Sequence, residues 1–168
     1  PMRPLFPKDY RNDVLLDNLV LCVDQDASPE LLAMLGSSLA TSVSDIPFDG
    51  PCAATQMGLI DGKLIVNPTN AQKQVSDLAL TVASTREKVI MIEAGANEVA
   101  EDVMIEAIYQ AHEINQTIIA FFDSIVAECG KEKHQYDSYA VPEELFARIK
   151  ELVPQEEMEA AVFTDDKQ

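Results

Sequence analysis

The alternation of apolar and polar residues predicts β-structure in the first part of this chain. Residues 14–23 form an apolar, β-prone run, interrupted by Asp17 and Asn18, and predict a strand or a bent pair of strands. Asp61 and Gly62 separate two further β-prone runs, which is a strong hairpin signal. We therefore predict two hairpins, formed by residues 53–60 with 63–67 and by residues 78–84 with 89–93.

A first helix is predicted to follow Ser28. This serine offers a capping hydroxyl, Pro29 suits the first turn, and Glu30 lies near the positive end of the helix dipole. Apolar residues follow at helical spacing at positions 32, 35, 39 and 43, with small residues between them. Small residues allow a helix to lie close on a sheet. The polar residues 68–76 predict a loop or a short helix.

The longest helix is predicted to begin at Asn97 and to end at Gly130. Glu98, Glu101 and Asp102 would then occupy its first turn, where the helix dipole favours carboxylates. Residues recurring every three or four positions form a stripe that we interpret as core: Val103, Ala107, Ala111, Ile114, Ile118, Phe122, Ile125 and Cys129.

A polar linker, residues 131–140, is predicted to follow the long helix. Pro142 and Pro154 then begin two shorter acidic helices, which run to about Leu152 and Phe163. The whole pattern indicates an α+β layer with a helical extension. We find no internal repeat and no apolar run of the roughly 18 residues that a membrane helix needs, so we expect a soluble chain without a membrane contact.

Composition limits the possible chemistry. The net charge is −17, from 29 acids against 12 bases, which argues against a protein that binds nucleic acid over its whole surface. Arg3, Lys8 and Arg11 form a local basic cluster, which is either a solvated loop or an RNA contact. Three widely spaced cysteines predict reduced thiols, and two histidines argue against a histidine-rich metal centre.

Two motifs are specific enough to indicate a family. IPFDGP (46–51) and EAGANE (93–98), together with RPLFPKDYRNDV (3–14), residues 23–51 and GLIDGKLIVNPT (58–69), resemble the first core half of the bacterial polyribonucleotide nucleotidyltransferases, the polynucleotide phosphorylase family. Residues 118–168 resemble the start of that family's all-helical linker. The resemblance implies a partial RNase PH-like fold (ribosomal protein S5 domain 2-like) of mixed sheet and helices at 1–117, followed by an all-α domain at 118–168.

The resemblance also implies an activity for the parent protein. Members degrade RNA from its 3′ end, with inorganic phosphate releasing nucleoside diphosphates, and they catalyse the reverse polymerisation. It implies Mg²⁺ in the parent enzyme, a homotrimer, partners in an RNA-decay assembly, and a cytoplasmic location. Because the chain does not begin with methionine, we expect it to be an excised piece of such a protein.

The resemblance predicts that this piece has no catalytic residue and no metal site. The metal-site strand of the family's active half carries Asp-x-Asp-x-Lys, whereas the matching strand here has Asp77, then Ala79 and Thr81. A single carboxylate is a poor Mg²⁺ site. We therefore interpret Asp77 as an exposed residue at the start of a strand. Ser37 and Ser38 lie in a predicted helix and are interpreted as packing residues rather than a phosphate pocket.

Other polar residues have simpler explanations than catalysis. His112 is expected on the surface of the long helix. Gly95 is expected to adopt an unusual backbone angle between Glu93 and Glu98, with Glu98 facing the helix dipole. Asp24 and Asp26 are expected to form a turn before the first helix, not a metal site.

Two alternatives to a noncatalytic scaffold with a share of the RNA path remain open. One is an independently active nuclease fragment, which Ala79 and Thr81 oppose. The other is an acidic protein-interaction or oligomerisation module without an RNA role, which the net charge and the acidic final helices suit. If the chain is a piece of a larger enzyme, strand edges and apolar surface lose their partners, and we expect the isolated piece to self-associate or to exchange strands.

Overall fold

From the first helix onward, the elements of the fold follow the order that the sequence pattern predicts. In a computed structural model, which describes residues 1–24 and 26–164, a 3₁₀ turn at Arg3–Leu5 precedes five helices and four strands. These are α1 (Pro29–Val43), β1 (Ala53–Ile60), β2 (Lys63–Val66), α2 (Asn70–Val75), β3 (Leu78–Ser84), β4 (Val89–Ala96), α3 (Glu101–Cys129), α4 (Glu143–Leu152) and α5 (Gln155–Val162). The predicted α+β class is therefore confirmed.

The described residues divide into two compact units. The first comprises Pro1–Pro7 and Asn12–Tyr136, and it holds the sheet with α1, α2 and α3. The second comprises Lys8–Arg11 and the chain from Asp137 onward, with α4 and α5. Helix α3 continues without a break through residue 118, and the assignment of residues 118–168 to a separate linker domain stays a prediction.

The sheet confirms both predicted hairpins. Its strand order is β2-β1-β3-β4, and each pair of neighbours is antiparallel. Asp61 and Gly62 form the first turn with positive φ angles of 49° and 73°. Strand β4 continues to Ala96, three residues beyond the predicted end, because Ala94, Gly95 and Ala96 pair with the start of β3. Gly95 is thus an ordinary strand residue, which corrects the unusual angle expected there.

Helix α1 begins at Pro29, as predicted, but Ser28 does not cap it through its side chain. Its hydroxyl donates instead to the Glu30 carboxylate at 2.8 Å. The pKa of the Glu30 carboxyl is lowered, first by the backbone hydrogen bond at its own residue and then by this hydroxyl. The expected small-residue packing is confirmed, since the buried residues of α1 are Ser37, Ser38, Thr41 and Ser42.

Helix α3 begins four residues later than predicted. The Asn97 N–H donates to the Asp77 carbonyl at 2.9 Å, which continues the β3–β4 pairing, and Glu98 has a φ of +53°, which a right-handed helix cannot include. Glu101 and Asp102 do lie in the first turn, but Glu98 precedes the helix. The glutamate's expected place at the helix dipole is therefore wrong.

The face of α3 that packs on the sheet includes a polar residue that the apolar stripe does not contain. Its buried residues are Ala107, Ala111, Asn115, Ile119 and Phe122. Cys129, the predicted last residue of the stripe, is exposed. The predicted stripe is thus correct at Ala107, Ala111 and Phe122, and is one position off where Asn115 and Ile119 are buried in place of Ile114 and Ile118.

Asn115 is joined to both central strands by hydrogen bonds. Its side-chain carbonyl accepts from the Thr55 hydroxyl of β1 at 2.8 Å. Its amide group donates to the Val82 carbonyl at 3.1 Å and to the Ser84 hydroxyl at 2.9 Å, both on β3. Asn115, Thr55 and Ser84 are fully buried, so the network replaces the water that these groups lose on folding.

The strand predicted at residues 14–23 is not present. Leu15, Leu19 and Leu21 are 89%, 81% and 87% exposed, and no described strand pairs with this segment. A strand needs the backbone of a neighbour to satisfy its own N–H and C=O groups, and this segment is not paired with the outer edge of β2 or β4. The β-prone composition is therefore not sufficient to form a strand here.

The chain after Gly130 follows the prediction closely. Residues 130–142 have no regular secondary structure, and α4 and α5 begin one residue after Pro142 and Pro154. Neither helix has a buried residue. Within residues 1–24 and 26–164, no helix combines the length and the apolar character needed to cross a membrane.

Replacing Asn115 with alanine should lower the free energy of unfolding by about 2–4 kcal/mol. The substitution leaves Thr55, Ser84 and the Val82 carbonyl without their partner and opens a small cavity. Urea unfolding followed by circular dichroism measures the change. Gln110→Ala, on the exposed face of the same helix, is the control and should change stability by less than about 0.5 kcal/mol. A similar effect of both substitutions would show that the network contributes nothing specific.

The isolated chain should self-associate, and more strongly as salt is added. Strands β2 and β4 have free edges, and the apolar residues of segment 14–23 are exposed. A net charge of −17 opposes association until salt screens it. Sedimentation velocity over a dilution series at about 50 and 500 mM NaCl measures both effects. A monomer at every concentration and salt level would contradict this prediction.

Candidate functional site

The candidate site is a cleft on the side of the sheet opposite α3. Along β3, Leu78, Leu80 and Val82 are buried, whereas Ala79 is exposed and Thr81 is half-buried. The cleft has a volume of about 480 Å³ and includes Ala79 and Thr81 in its lining. These are the two positions at which the predicted metal-site pattern is absent.

The floor of the cleft includes two small residues in register across the sheet, Ala79 and Gly95. Gly58 of β1 pairs with Ala79, which in turn pairs with Gly95 of β4. A Cβ atom added to Gly95 would meet nothing within 4 Å, so the floor is open at this point. The next row across the sheet is polar and comprises Gln56, Thr81 and Glu93.

One wall of the cleft is the segment that carries α2. A Cβ atom on Gly58 would lie 2.9 Å from the Ser76 hydroxyl and 3.3 Å from Pro68, so only glycine allows this segment to cross β1 so closely. The Ser76 hydroxyl accepts from the Leu59 N–H at 2.8 Å and donates to the Leu78 carbonyl at 2.7 Å. The Thr69–Gln72 capping box then begins α2, which places Lys73 at the cleft.

The charges at the cleft do not form a cation site. Lys73 and Glu93 are the charged residues of its lining, and both are exposed. Asp77 is not part of the lining: it is exposed, its N–H donates to the Leu59 carbonyl at 2.9 Å, and β3 begins at the next residue. This confirms its interpretation as an exposed residue at a strand start. Among the residues that the structure describes, no three His, Cys, Asp or Glu side chains are grouped so as to hold a metal ion.

The serines of α1 are packing residues, as predicted. Ser38 is fully buried, and its hydroxyl accepts from the Cys52 N–H at 2.9 Å, while Ser37 exchanges hydrogen bonds with the Asn18 amide. Burial raises the pKa of the Cys52 thiol, and the Ser38 hydrogen bond acts in the opposite direction. Because Ser38 is fully buried, its hydroxyl is not accessible to a phosphate in solvent.

The other candidate residues also lie where a structural role accounts for them. His112 is half-buried on α3 beside the Gln116 amide, with ring nitrogens 3.3 and 3.4 Å from it. Asp24 accepts from the Asp26 N–H at 2.9 Å in the predicted turn. Glu93 lies within β4, whereas Glu98 follows the end of that strand. The two carboxylates therefore do not belong to one element of secondary structure.

The predicted basic cluster is divided between the two compact units. Arg3 is exposed in the 3₁₀ turn of the first unit. Lys8 and Arg11 belong to the second unit and are exposed, with the Arg11 guanidinium donating to the Lys8 carbonyl at 2.9 Å. All three cations are thus accessible to solvent.

The sequence pattern did not identify Lys73 and Glu93 as neighbours of β3, the strand in which Ala79 and Thr81 stand at the metal-site positions. The alternation along β3 does indicate that Ala79 and Thr81 share a face. The partners of that face depend on the register with β4 and on the crossing of α2, which the local pattern does not contain.

Comparison with known proteins explains the geometry of this site. Residues 50–114, from the turn before β1 to the middle of α3, match the family described as "3′ exoribonuclease family, domain 2". Rrp46 of rice (Oryza sativa) shares the fold, with a TM-score of 0.55 and 16% identity over 62% of this chain and 51% of that protein. The RNase PH-like fold expected for the first part of the chain is therefore confirmed.

The curated relatives extend the similarity to both ends of the chain. Polyribonucleotide nucleotidyltransferase of Lachnoclostridium phytofermentans is 72% identical over all 168 residues, which cover 24% of that enzyme. The enzymes of Ruminiclostridium cellulolyticum and Shouchella clausii are 49% and 54% identical, over 24% and 21% of their lengths. The chain therefore belongs to the polyribonucleotide nucleotidyltransferase family and corresponds to about a quarter of the length of these relatives.

Proposed function

We propose that this chain is the noncatalytic part of a phosphorolytic 3′-to-5′ exoribonuclease. The observation that carries the proposal is the 72% identity over all 168 residues to an enzyme named polyribonucleotide nucleotidyltransferase. The complete protein would use inorganic phosphate to release nucleoside diphosphates from the 3′ end of mRNA, and would catalyse the reverse polymerisation.

The open face of the sheet supports a role without catalysis. Phosphoryl transfer needs a bound metal ion or cations that stabilise the charge of the transferring group. In the cleft, Ala79 and Thr81 provide neither a carboxylate nor a cation, and Lys73 is balanced by Glu93. Mg²⁺ and the phosphate pocket would therefore be held by another part of the complete protein, which we propose to be a cytoplasmic homotrimer that works within an RNA-decay assembly.

The chain would contribute scaffold and RNA-path contacts to that protein. Arg3, Lys8 and Arg11 are exposed and are concentrated in a segment of an otherwise acidic chain. Cations of this kind bind phosphate without reading sequence. We propose that this segment contacts the RNA backbone on its way to the catalytic part.

A specific observation also favours protein contacts for the second unit. Leu145, Phe146 and Ile149 of α4 are about half exposed on an amphipathic helix. A protein-interaction role for this unit is compatible with the exoribonuclease function. The two functions are distinguished by activity, since an interaction module alone would not support phosphorolysis when placed in a relative.

A chimera tests the proposed function directly. We expect the L. phytofermentans enzyme to keep its activity, within about threefold, when this chain replaces the matching segment, because most contacts of that segment are preserved at 72% identity. Release of ADP from poly(A) with phosphate and Mg²⁺ measures this, with the unmodified relative as the positive control. The chain alone should release no ADP above the buffer control. Phosphate-dependent release by the chain alone would contradict the noncatalytic assignment.

The same chimera tests the residue that remains of the metal-site pattern. Asp77→Asn keeps the size of the side chain and removes its charge, and we expect no more than about a twofold change in kcat because Asp77 is exposed and lies outside the cleft. A loss of a hundredfold or more in a folded variant would mean that this chain holds a catalytic carboxylate.

Replacing Arg3, Lys8 and Arg11 with alanine in the chimera should weaken the binding of single-stranded RNA. If all three contact phosphates, the slope of log K against log[salt] should fall by about 2, at roughly 0.7 for each contact. Fluorescence anisotropy with labelled oligoadenylate over a series of salt concentrations measures the slope. The control replaces Lys63, Lys131 and Lys150 with alanine, which changes the net charge equally. Equal effects of both sets would show only a general charge effect.

A further inference from the structure

The carboxyl end of α1 is closed by a lysine that lies about ninety residues further along the chain. The Lys133 ammonium donates to the carbonyl oxygens of Thr41, Ser42 and Ser44 at 3.1, 2.9 and 2.7 Å. An ammonium has three N–H donors, and here each donor has a carbonyl acceptor. This ring of carbonyls is complete only while the amine carries its proton.

Helix α1 has no basic residue of its own in its last turn. The last carbonyl groups of a helix lack intrahelical partners, and the helix dipole places partial negative charge there. Lys133 supplies both the donors and the positive charge. A cation from a distant segment therefore provides what the local sequence of α1 does not.

The lysine side chain is accompanied by two backbone hydrogen bonds from the same segment. The Lys131 N–H donates to the Val43 carbonyl at 3.0 Å, and the His134 N–H donates to the Asp45 carbonyl at 2.7 Å. Residues 131–134 thus lie as a strap along the end of α1. The strap has no regular secondary structure, so these contacts are what position its backbone.

Gly130 allows the chain to turn from α3 into the strap. A Cβ atom at this position would lie 2.4 Å from the Val126 carbonyl oxygen, which excludes every other residue in the same conformation. The strap therefore starts at a fixed point at the end of α3 and is held at its other end by Lys133. All of these residues belong to the first compact unit, which ends at Tyr136.

We propose that Lys133 is a conformational latch whose positive charge holds the strap on α1, so that any neutralisation of its amine releases residues 131–134. The segment that follows the first unit then no longer starts from a fixed position. Lys133 is a positioning residue in this role, because it acts through the carbonyl groups of α1 and touches no part of the cleft.

The surroundings of the ammonium agree with a latch that can open. Burial is the main influence on the pKa of Lys133 and lowers it, and the Asp45 carboxylate acts in the opposite direction. The His134 ring lies 3.9 Å from that carboxylate and is the other titratable group of the strap near it. Burial removes water from the charged ammonium, and its three hydrogen bonds to carbonyl oxygens offset this loss of hydration.

Amide hydrogen exchange of the Lys133→Gln variant tests the latch. We expect exchange at residues 131 and 134 to become at least tenfold faster, because the strap is no longer held against their acceptors, Val43 at the end of α1 and Asp45 just after it. Exchange within β1 and β3 should stay unchanged. Lys131→Gln, which removes the same charge from an exposed side chain two residues away, is the control and should leave exchange at residue 134 unchanged. Equal protection in both variants would overturn the proposal.

Two measurements keep the test decisive if Lys133→Gln folds poorly. In the unmodified chain, acetylation by an N-hydroxysuccinimide ester should modify Lys133 at least tenfold more slowly than Lys131, as followed by mass spectrometry; equal rates would overturn the latch.

In Lys133→Ala, added propylammonium should restore protection at residues 131 and 134, whereas an equal concentration of sodium should not. A failure of this rescue together with equal labelling rates would leave no role for the charge.

Discussion

The side chain of Asn115 joins the longest helix to the two central strands, and the arrangement of the first unit depends on this junction. Its three hydrogen bonds reach Thr55 on β1 and Val82 and Ser84 on β3. An amide with two donors and one acceptor oxygen is satisfied only when both strands are in their observed register. The network therefore fixes the rotation of α3 and the pairing of the sheet together. Apolar contacts from Ala107 and Ala111 fill the space beside it.

Polar packing of this kind recurs in α1. Four of its buried residues are serine or threonine, and the hydroxyls of Thr41 and Ser42 donate to carbonyls one turn back at 2.8 Å. A helix face of hydroxyls lies close to a strand because the side chains are small and their hydrogen bonds are already made. No buried side-chain nitrogen or oxygen lacks a partner among the described residues. These hydrogen bonds fix how the core elements are oriented, and apolar burial adds stability.

The side of the sheet that faces α3 is therefore occupied by core packing, whereas the opposite side is open at the cleft. The open side carries the cleft over Ala79 and Gly95, with Lys73 and Glu93 also in its lining. The lining of this cleft contains a single carboxylate, that of Glu93, which is a poor Mg²⁺ site by itself.

The sequence by itself determined the elements whose signals are local. The Asp61–Gly62 hairpin, the start of α1 at Pro29 and the two proline-led helices depend on turn chemistry and spacing, which neighbouring residues contain. The motifs that indicated the family are likewise read directly from the chain.

Tertiary structure decided the rest. Residues 14–23 are β-prone yet remain unpaired because a strand needs a neighbour. Asn115 is buried because its partners lie on strands 31 to 60 positions away in sequence, and α1 receives its closing charge from Lys133 because the chain returns there. Hydrogen bonds between distant segments have no periodicity, so the sequence pattern alone does not contain them.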